Sequence, residues 1–191
     1  MTVDLIGSIK GRVEEFFTSY ASSLTGCQFS DIRIDVSDTR WASAEDGKPK
    51  AAGRDEGGSF GIRVIAGESS MSPGYYGRIF SLRDVSRFEE LIKEGLDHAY
   101  TRAVANSRYK AKLISKIEGL EGILCGTEIA PIKVHRDTIP AVYKIAPETV
   151  TPQEILALSE DASKRVKELS GIQFNDVTVY TQSLGKLFIS T

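Results

Sequence analysis

The sequence predicts an α+β fold of the mixed α/β kind. The expected parts are a curved, mainly antiparallel sheet flanked by helices, one long helix, and then the start of a second α/β lobe. Three observations predict it. Apolar residues recur at steps of three and four near the N-terminus and again through the middle of the chain. Between those stretches, apolar and polar residues alternate in short runs separated by glycine-rich turns. A composition break after residue 118 is followed by another helix-then-strand pattern.

Residues 3–24 read as an amphipathic helix, because Ile6, Ile9, Val13, Phe16, Phe17, Tyr20 and Leu24 share one stripe. Gly26 stands where that helix stops. Ile32, Ile34 and Val36 alternate with Arg33 and Asp35, the pattern of a strand with one buried face. Residues 40–54 are polar and contain Asp46-Gly47, the best short hairpin signal in the chain. Pro49 and Gly53 make the second arm of that hairpin irregular or place it at an edge. Residues 57–67 pair a glycine-rich turn with the strand Phe60 to Ile65, which carries Arg63 among apolar neighbours. A further strand lies between Ser70 and Phe80, its start weakened by Pro73 and Gly74.

Ser81, with Asp84 three residues on, is a helix start. From there Val85, Phe88, Leu91, Ile92, Leu96, Ala99, Ala103, Leu113 and Ile117 give a helical pattern of more than thirty residues. Residues 130–145 carry two prolines and little periodicity, the features of an extended connector. Thr151-Pro152-Gln153-Glu154 combines a capping threonine, a proline in the first turn and a glutamate three residues after the cap. Ile155, Leu158, Ala162, Val166 and Leu169 follow as an apolar stripe that ends before Gly171. Residues 176–181 and 186–190 then read as two strands around Ser183-Leu184-Gly185. The expected organisation is an N-terminal α+β domain over residues 1–118. A connector and the first part of a second lobe follow over 119–191. The chain ends just after the apolar run Leu187-Phe188-Ile189, which fits a natural terminus and a truncation alike.

Composition narrows the function classes. At 191 residues the chain holds one domain, or one and part of a second, at roughly 150 residues each. A net charge of −2 provides no global field for nucleic acid or an anionic membrane, so neither is expected as a partner. No apolar run approaches the ~20 residues that span a bilayer. The N-terminus lacks the basic-then-apolar order of a secretory signal. Two cysteines make no disulfide framework. A reducing cytoplasm is the expected compartment.

The residues able to do chemistry are scattered. Cys27, His98, Cys125 and His135 are the candidate zinc ligands, and none lies at the close spacing zinc sites use. A Cys–His pair from Cys125 and His135 has no supporting motif. Glycines 53, 57, 58 and 61 lead into a strand, whereas a phosphate cradle leads into a helix through Gly-Lys-Ser/Thr. The carboxylate pairs Glu14-Glu15, Glu45-Asp46, Asp55-Glu56 and Glu89-Glu90 are adjacent, and neighbours on a helix do not face each other. Arg102, Arg108, Lys110, Lys112 and Lys116 form a basic stretch that reads as a solvated face near a helix C-terminus. Trp41, Tyr75 and Tyr76 are expected to be partly exposed, as a binding surface or as cross-strand packing.

Residues 31–80 carry a resemblance to the TldD/PmbA family, the modulators of DNA gyrase. The strand Ile32-Arg33-Ile34, the hairpin after it, Gly61-Ile62-Arg63-Val64 and the helix entry Ser81-Leu82 resemble the order in that family's N-terminal part. Residues 151–154 and Ile189-Ser190-Thr191 look like a later helix and strand of the family, cut off before a short serine-glycine segment. The resemblance implies the N-terminal, non-catalytic region of a zinc metallopeptidase subunit that shapes a peptide cavity and contacts within a homo- or heterodimer. The substrates it implies are unfolded peptides. The family's His-Glu-x-x-x-His helix and distant cysteine ligand are absent here, so no catalytic, cofactor-binding or metal-binding residue carries over. Zinc is implied only for a missing C-terminal part, and this chain alone is expected to be inactive. Two other readings stand beside this one: a partner subunit without the motif, and a stand-alone protein-interaction module using the long helix or a sheet edge.

Overall fold

The computed structural model describes residues 2–68, 70–120 and 135–191. Helix α1 spans Thr2–Ser23 and buries Ile9, Val13 and Phe17 of the expected stripe together with Ala21, while Ile6, Phe16 and Tyr20 are half-buried. It stops before Gly26, whose φ of +68° is left-handed. Strand β1, Cys27–Glu45, and strand β2, Lys48–Ala66, are each 19 residues long. The two-residue turn between them has positive φ at Asp46 (49°) and Gly47 (79°), the conformation that Asp-Gly favours in hairpins.

Strand β3, Ser72–Phe80, pairs antiparallel with β2 in a register from Gly58 opposite Phe80 to Ala66 opposite Ser72. A 3₁₀ turn, Leu82–Arg87, leads into helix α2, Phe88–Ile114. The entry is capped as expected: the Ser81 N–H and hydroxyl donate to the Asp84 carboxylate at 2.8 and 2.9 Å. The helical pattern of more than thirty residues therefore divides into a 3₁₀ turn and a 27-residue α-helix.

A second 3₁₀ turn, Pro147–Thr149, precedes helix α3, Pro152–Lys167. Its capping box is complete. The Glu154 N–H donates to Thr151 Oγ1 at 3.2 Å, and the Thr151 N–H donates to Glu154 Oε2 at 2.7 Å. Strand β4, Asp176–Ser190, closes the described chain. It is one strand and not the two expected. Exposure alternates residue by residue straight through Ser183, Leu184 and Gly185, and a β1 partner of 19 residues is long enough to hold all of it.

The four strands form one antiparallel sheet in the order β3-β2-β1-β4. Because the β2–β3 register ends at Gly58, residues 48–57 have no second partner strand among the described residues. Pro49 and Gly53 lie in that half, so the expected edge is there, in a regular strand.

The chain divides into two compact units. One is built chiefly from Val36–Gly57 and Asp137–Gly185. The other holds Asp4–Asp35, Gly58–Arg136 and Lys186–Thr191. These units interleave along the chain, whereas the expected regions, 1–118 and 119–191, are consecutive. The boundary near 119 runs into residues 121–134, which lie outside the described residues.

In the second unit the core joins the α1 stripe to Ile32, Ile34, Phe60, Ile62 and Val64 of the sheet and to Phe88, Leu91, Ile92 and Leu96 of α2. Each such side chain contributes about 1.5–3 kcal/mol when fully buried. Phe88 meets Phe60 edge-on, with ring centres 5.7 Å apart, and Phe80 at 4.8 Å. In the first unit Ala42, Ala44 and Ile155 are buried.

Candidate functional site

Arg63 is the one basic side chain in an otherwise apolar stretch of β2, and alternation decides where it goes. Ile62 and Val64 are buried in the core, so Arg63 lies on the opposite face of the sheet. Phe29 and Asp31 of β1 lie on that face too, out of phase with Ile32 and Ile34. The Arg63 Nε–H donates to Asp31 Oδ2 at 2.8 Å, and Nη2 donates to the same oxygen. Asp31 is only 8% exposed, so this is a partly desolvated ion pair. The guanidinium carbon stands 5.3 Å from the centre of the Phe29 ring, a cation–π distance. Across the register Arg63 faces Tyr75, which is 56% exposed. The Asp31 hydrogen bond first, and Tyr75 to a smaller extent, hold the guanidinium pKa above its ordinary value against desolvation. The cluster supplies fixed donors and aromatic surface, which is the chemistry of binding.

A second constellation ties α2 to the chain around β3. Arg102 Nη1 donates to the Tyr75 carbonyl at 2.6 Å, Asn106 Nδ2 to that of Pro73 at 2.9 Å, and Lys110 Nζ to that of Met71 at 3.0 Å. Part of the basic stretch read as a solvated face therefore satisfies main-chain carbonyls. The signal was present in the sequence, since Arg102, Asn106 and Lys110 repeat at steps of four along one helix face. What the sequence lacked was the row of acceptors.

The tip of the β1–β2 hairpin forms a third polar cluster. The Gly47 N–H donates to Ser163 Oγ at 2.8 Å, and Ser163 in turn donates to Asn175 Oδ1 at 2.5 Å. The Asp46 carboxylate accepts from Lys167 Nζ at 2.8 Å and from the Asn175 N–H at 3.2 Å. Lys167 first and the Asn175 N–H next lower the Asp46 pKa. The neighbouring pair Asp38–Arg54 is bidentate, at 2.9 and 2.8 Å, and Arg54 lowers the Asp38 pKa.

Among the described residues the candidate metal and nucleophile side chains are not gathered into a site. Cys27 is half-buried, and burial pushes its thiol pKa up, so at neutral pH it stays protonated. Its Sγ–H donates to the Phe29 carbonyl at 3.5 Å. His98 is exposed on α2 and stacks on Tyr76, with ring centres 5.2 Å apart and planes 8° from parallel. His135 is exposed. Cys125 lies outside the described residues. Among the described residues no three His, Cys, Asp or Glu side chains converge as a metal site.

Of glycines 53, 57, 58 and 61, Gly53 and Gly58 have steric roles, whereas Gly61 has open space where a side chain would stand. A methyl group at Gly53 would stand 2.8 Å from the Trp41 ring, and one at Gly58 would stand 2.4 Å from the Phe80 ring. Trp41 is half-buried and donates to Asp55 Oδ2 at 3.0 Å. No helix among the described residues is long and apolar enough to cross a membrane.

No family model and no curated protein matches the sequence. Solved structures do match the fold. TldE from Thermococcus kodakarensis superposes with a TM-score of 0.53 at 14% identity, over 94% of this chain and 34% of that one. A protein described as a modulator of DNA gyrase from Thermotoga maritima gives 0.51 at 11% identity, over 97% of this chain and 35% of that one. One described likewise from Bacteroides thetaiotaomicron gives 0.50 at 11%, over 97% and 40%. The chain thus spans little more than a third of the length of the structures it matches. At these identities the likeness is one of fold, and the fold of this chain is the TldD/PmbA type.

Proposed function

We propose that this chain is the N-terminal, non-catalytic region of a TldD/PmbA-like zinc metallopeptidase subunit, shaping the peptide cavity and the dimer contacts of the whole protein. The observation that carries the reading is one of extent. Nearly all of this chain aligns with TldE and the gyrase modulators, and it accounts for 34–40% of their lengths. The chemistry of the described residues supports the non-catalytic part. The zinc that the family implies finds no fitting donor set among them. His98 stacks on Tyr76 and Cys27 is half-buried, and neither belongs to a group of three such donors among the described residues. No hydrolytic step is therefore assigned to this chain.

What the chain offers a peptide is the sheet face around Arg63 and Tyr75. A charged guanidinium beside an exposed phenol suits a peptide carbonyl or carboxylate. Two measurements test the reading. Metal analysis of the dialysed 191-residue chain is expected to show no stoichiometric zinc, and the chain alone is expected to leave an unfolded peptide uncut. Retained zinc or cleavage overturns the non-catalytic assignment. The source reading frame is expected to encode a His-Glu-x-x-x-His helix downstream. A long downstream domain without it identifies a motif-less partner subunit instead, and an immediate stop codon leaves an interaction module.

A further inference from the structure

Charge is distributed unevenly along helix α2. In its N-terminal half every charged side chain has a partner. Glu89 pairs with Arg12 at 3.0 Å, Lys93 with Asp97 at 3.0 Å and Glu94 with Arg78 at 3.1 Å. Glu90 and His98 make looser contacts with Arg87 and Glu94, both at 3.9 Å. Between Asp97 and Glu118 the sequence then holds five lysines and arginines and no carboxylate. Two of them, Arg102 and Lys110, are tied to main-chain carbonyls. The other three, Arg108, Lys112 and Lys116, are exposed, and among the described residues no carboxylate or carbonyl pairs with their side chains.

Their spacing makes them one row. Residues four apart are neighbours on a helix, about 6 Å from each other along its axis. Arg108 and Lys112 stand so on α2. Lys116 continues the row through the closing turn, where its N–H donates to the Leu113 carbonyl at 3.1 Å. Tyr109, 65% exposed, neighbours Lys112 at a step of three. The buried line of the same half, Ala99, Ala103 and Ser107, lies on the other side. Folding does not account for the row. Like charges at this spacing destabilise a helix. The helix dipole favours a cation only in the last turn, which holds Lys112 but not Arg108. All of these residues belong to one compact unit.

We propose that this face of α2 binds an acidic, extended segment of a partner polypeptide, whose carboxylates on alternate residues meet Arg108, Lys112 and Lys116 in turn. Alternate side chains of an extended peptide share one side at about 6.6 Å intervals, close to the spacing of the row. A carboxylate takes the arginine fork in two parallel hydrogen bonds and the lysines as point charges. A single-stranded nucleic acid has charge of the right sign, but it also uses aromatic side chains on which successive bases stack. Among the described residues Tyr109 is the one aromatic that α2 exposes. The net charge of −2 also opposes a strand charged at every nucleotide, whereas a peptide confines its charge to the contact. The proposal goes beyond the peptidase reading and does not depend on it, because its test reads binding and neither cleavage nor metal.

The experiment follows the fluorescence anisotropy of a labelled peptide of alternating glutamate and serine. The protein of the complete reading frame and the 191-residue chain are titrated in parallel. Both are expected to bind it, more weakly as salt rises. A peptide of the same composition with its glutamates in one block is expected to bind several-fold more weakly. Arg108→Gln, Lys112→Gln and Lys116→Gln are each expected to weaken binding about two- to fivefold, the scale of an exposed ion pair. The triple variant should lose about tenfold or more, with its circular dichroism unchanged. Lys10→Glu, on the exposed surface of α1, makes a larger change in net charge and is expected to shift the affinity less than twofold. Undiminished binding by the triple variant, an equal loss with Lys10→Glu, or equal affinity for the block peptide overturns the proposal. So does an oligothymidylate or a phosphatidylserine vesicle that binds more tightly than the alternating peptide. Binding by the 191-residue chain that the complete protein does not share overturns it too, and identifies the face as one covered within the protein.

Discussion

Gly74 of β3 sits so close to α2 that a methyl group there would stand 2.0 Å from the carbonyl oxygen of Ala99. It would also stand 2.5 Å from the Ala103 nitrogen. Both neighbours are helix backbone and cannot rotate away. The close approach brings the Tyr75, Pro73 and Met71 carbonyls within reach of Arg102, Asn106 and Lys110. Gly74→Ala is expected to destabilise the chain by about 3 kcal/mol, at the upper end of overpacking costs. Denaturant unfolding measures this directly. Ala99→Gly does not relieve it, because the clash is with main chain.

Arg63→Ala removes the partner of a carboxylate that is 8% exposed. A surface ion pair contributes ~0–1 kcal/mol, and breaking a fully buried one costs about 3–5 kcal/mol. Arg63 keeps 40% of its side chain in solvent, so an intermediate loss of about 2 kcal/mol is expected. Asp31→Asn in the same background should recover part of it, since the orphaned charge is gone. A double-mutant cycle by chemical denaturation checks the sign of that recovery.

Thr151→Ala deletes the hydroxyl that accepts the Glu154 N–H at the start of α3. The expected loss is about 1 kcal/mol. Thr151→Ser should retain most of the stability, which separates the cap from any effect of the threonine methyl group. Thermal melts of the two variants side by side decide it.

The chain should lose stability in acid. Asp38, Asp46, Asp84 and Glu154 all have lowered pKa values. The leading causes are respectively Arg54, Lys167, the Ser81 N–H and the Thr151 N–H. A carboxyl whose pKa is lower folded than unfolded contributes stability above its unfolded value, near pH 4, that is lost as pH falls through the folded value. The melting temperature is therefore expected to be flat near neutrality and to drop below about pH 4. Asp38→Asn should lower the melting temperature at pH 7, and its gap from the unchanged chain should narrow toward pH 3.

How far the sequence led depended on how local each signal was. Thr151 to Glu154 and Asp46-Gly47 act within four residues, and both are found as read. The α1 stripe is equally local. Strand β4 was misjudged because Ser183-Leu184-Gly185 carries a turn signal that pairing with a distant, equally extended β1 overrides. The Arg63–Asp31 pair was hidden for the same reason. Its partners are 32 residues apart, and only the strand register brings them together. The carbonyl row bound by Arg102, Asn106 and Lys110 has no side-chain signature at all. Main-chain acceptors are the same in every sequence.

Asp46-Gly47 also bears on how this molecule ages. In such dipeptides the glycine nitrogen readily attacks the preceding carboxyl carbon, closing a succinimide that reopens as isoaspartate. Here the attacking nitrogen is engaged, because the Gly47 N–H is bound to Ser163. The carboxyl is engaged too, by Lys167 and Asn175, in its unreactive charged form. Ring closure would have to break these bonds first. The isoaspartate content of a stored sample therefore works as a clock that runs only while the hairpin tip is loose from α3.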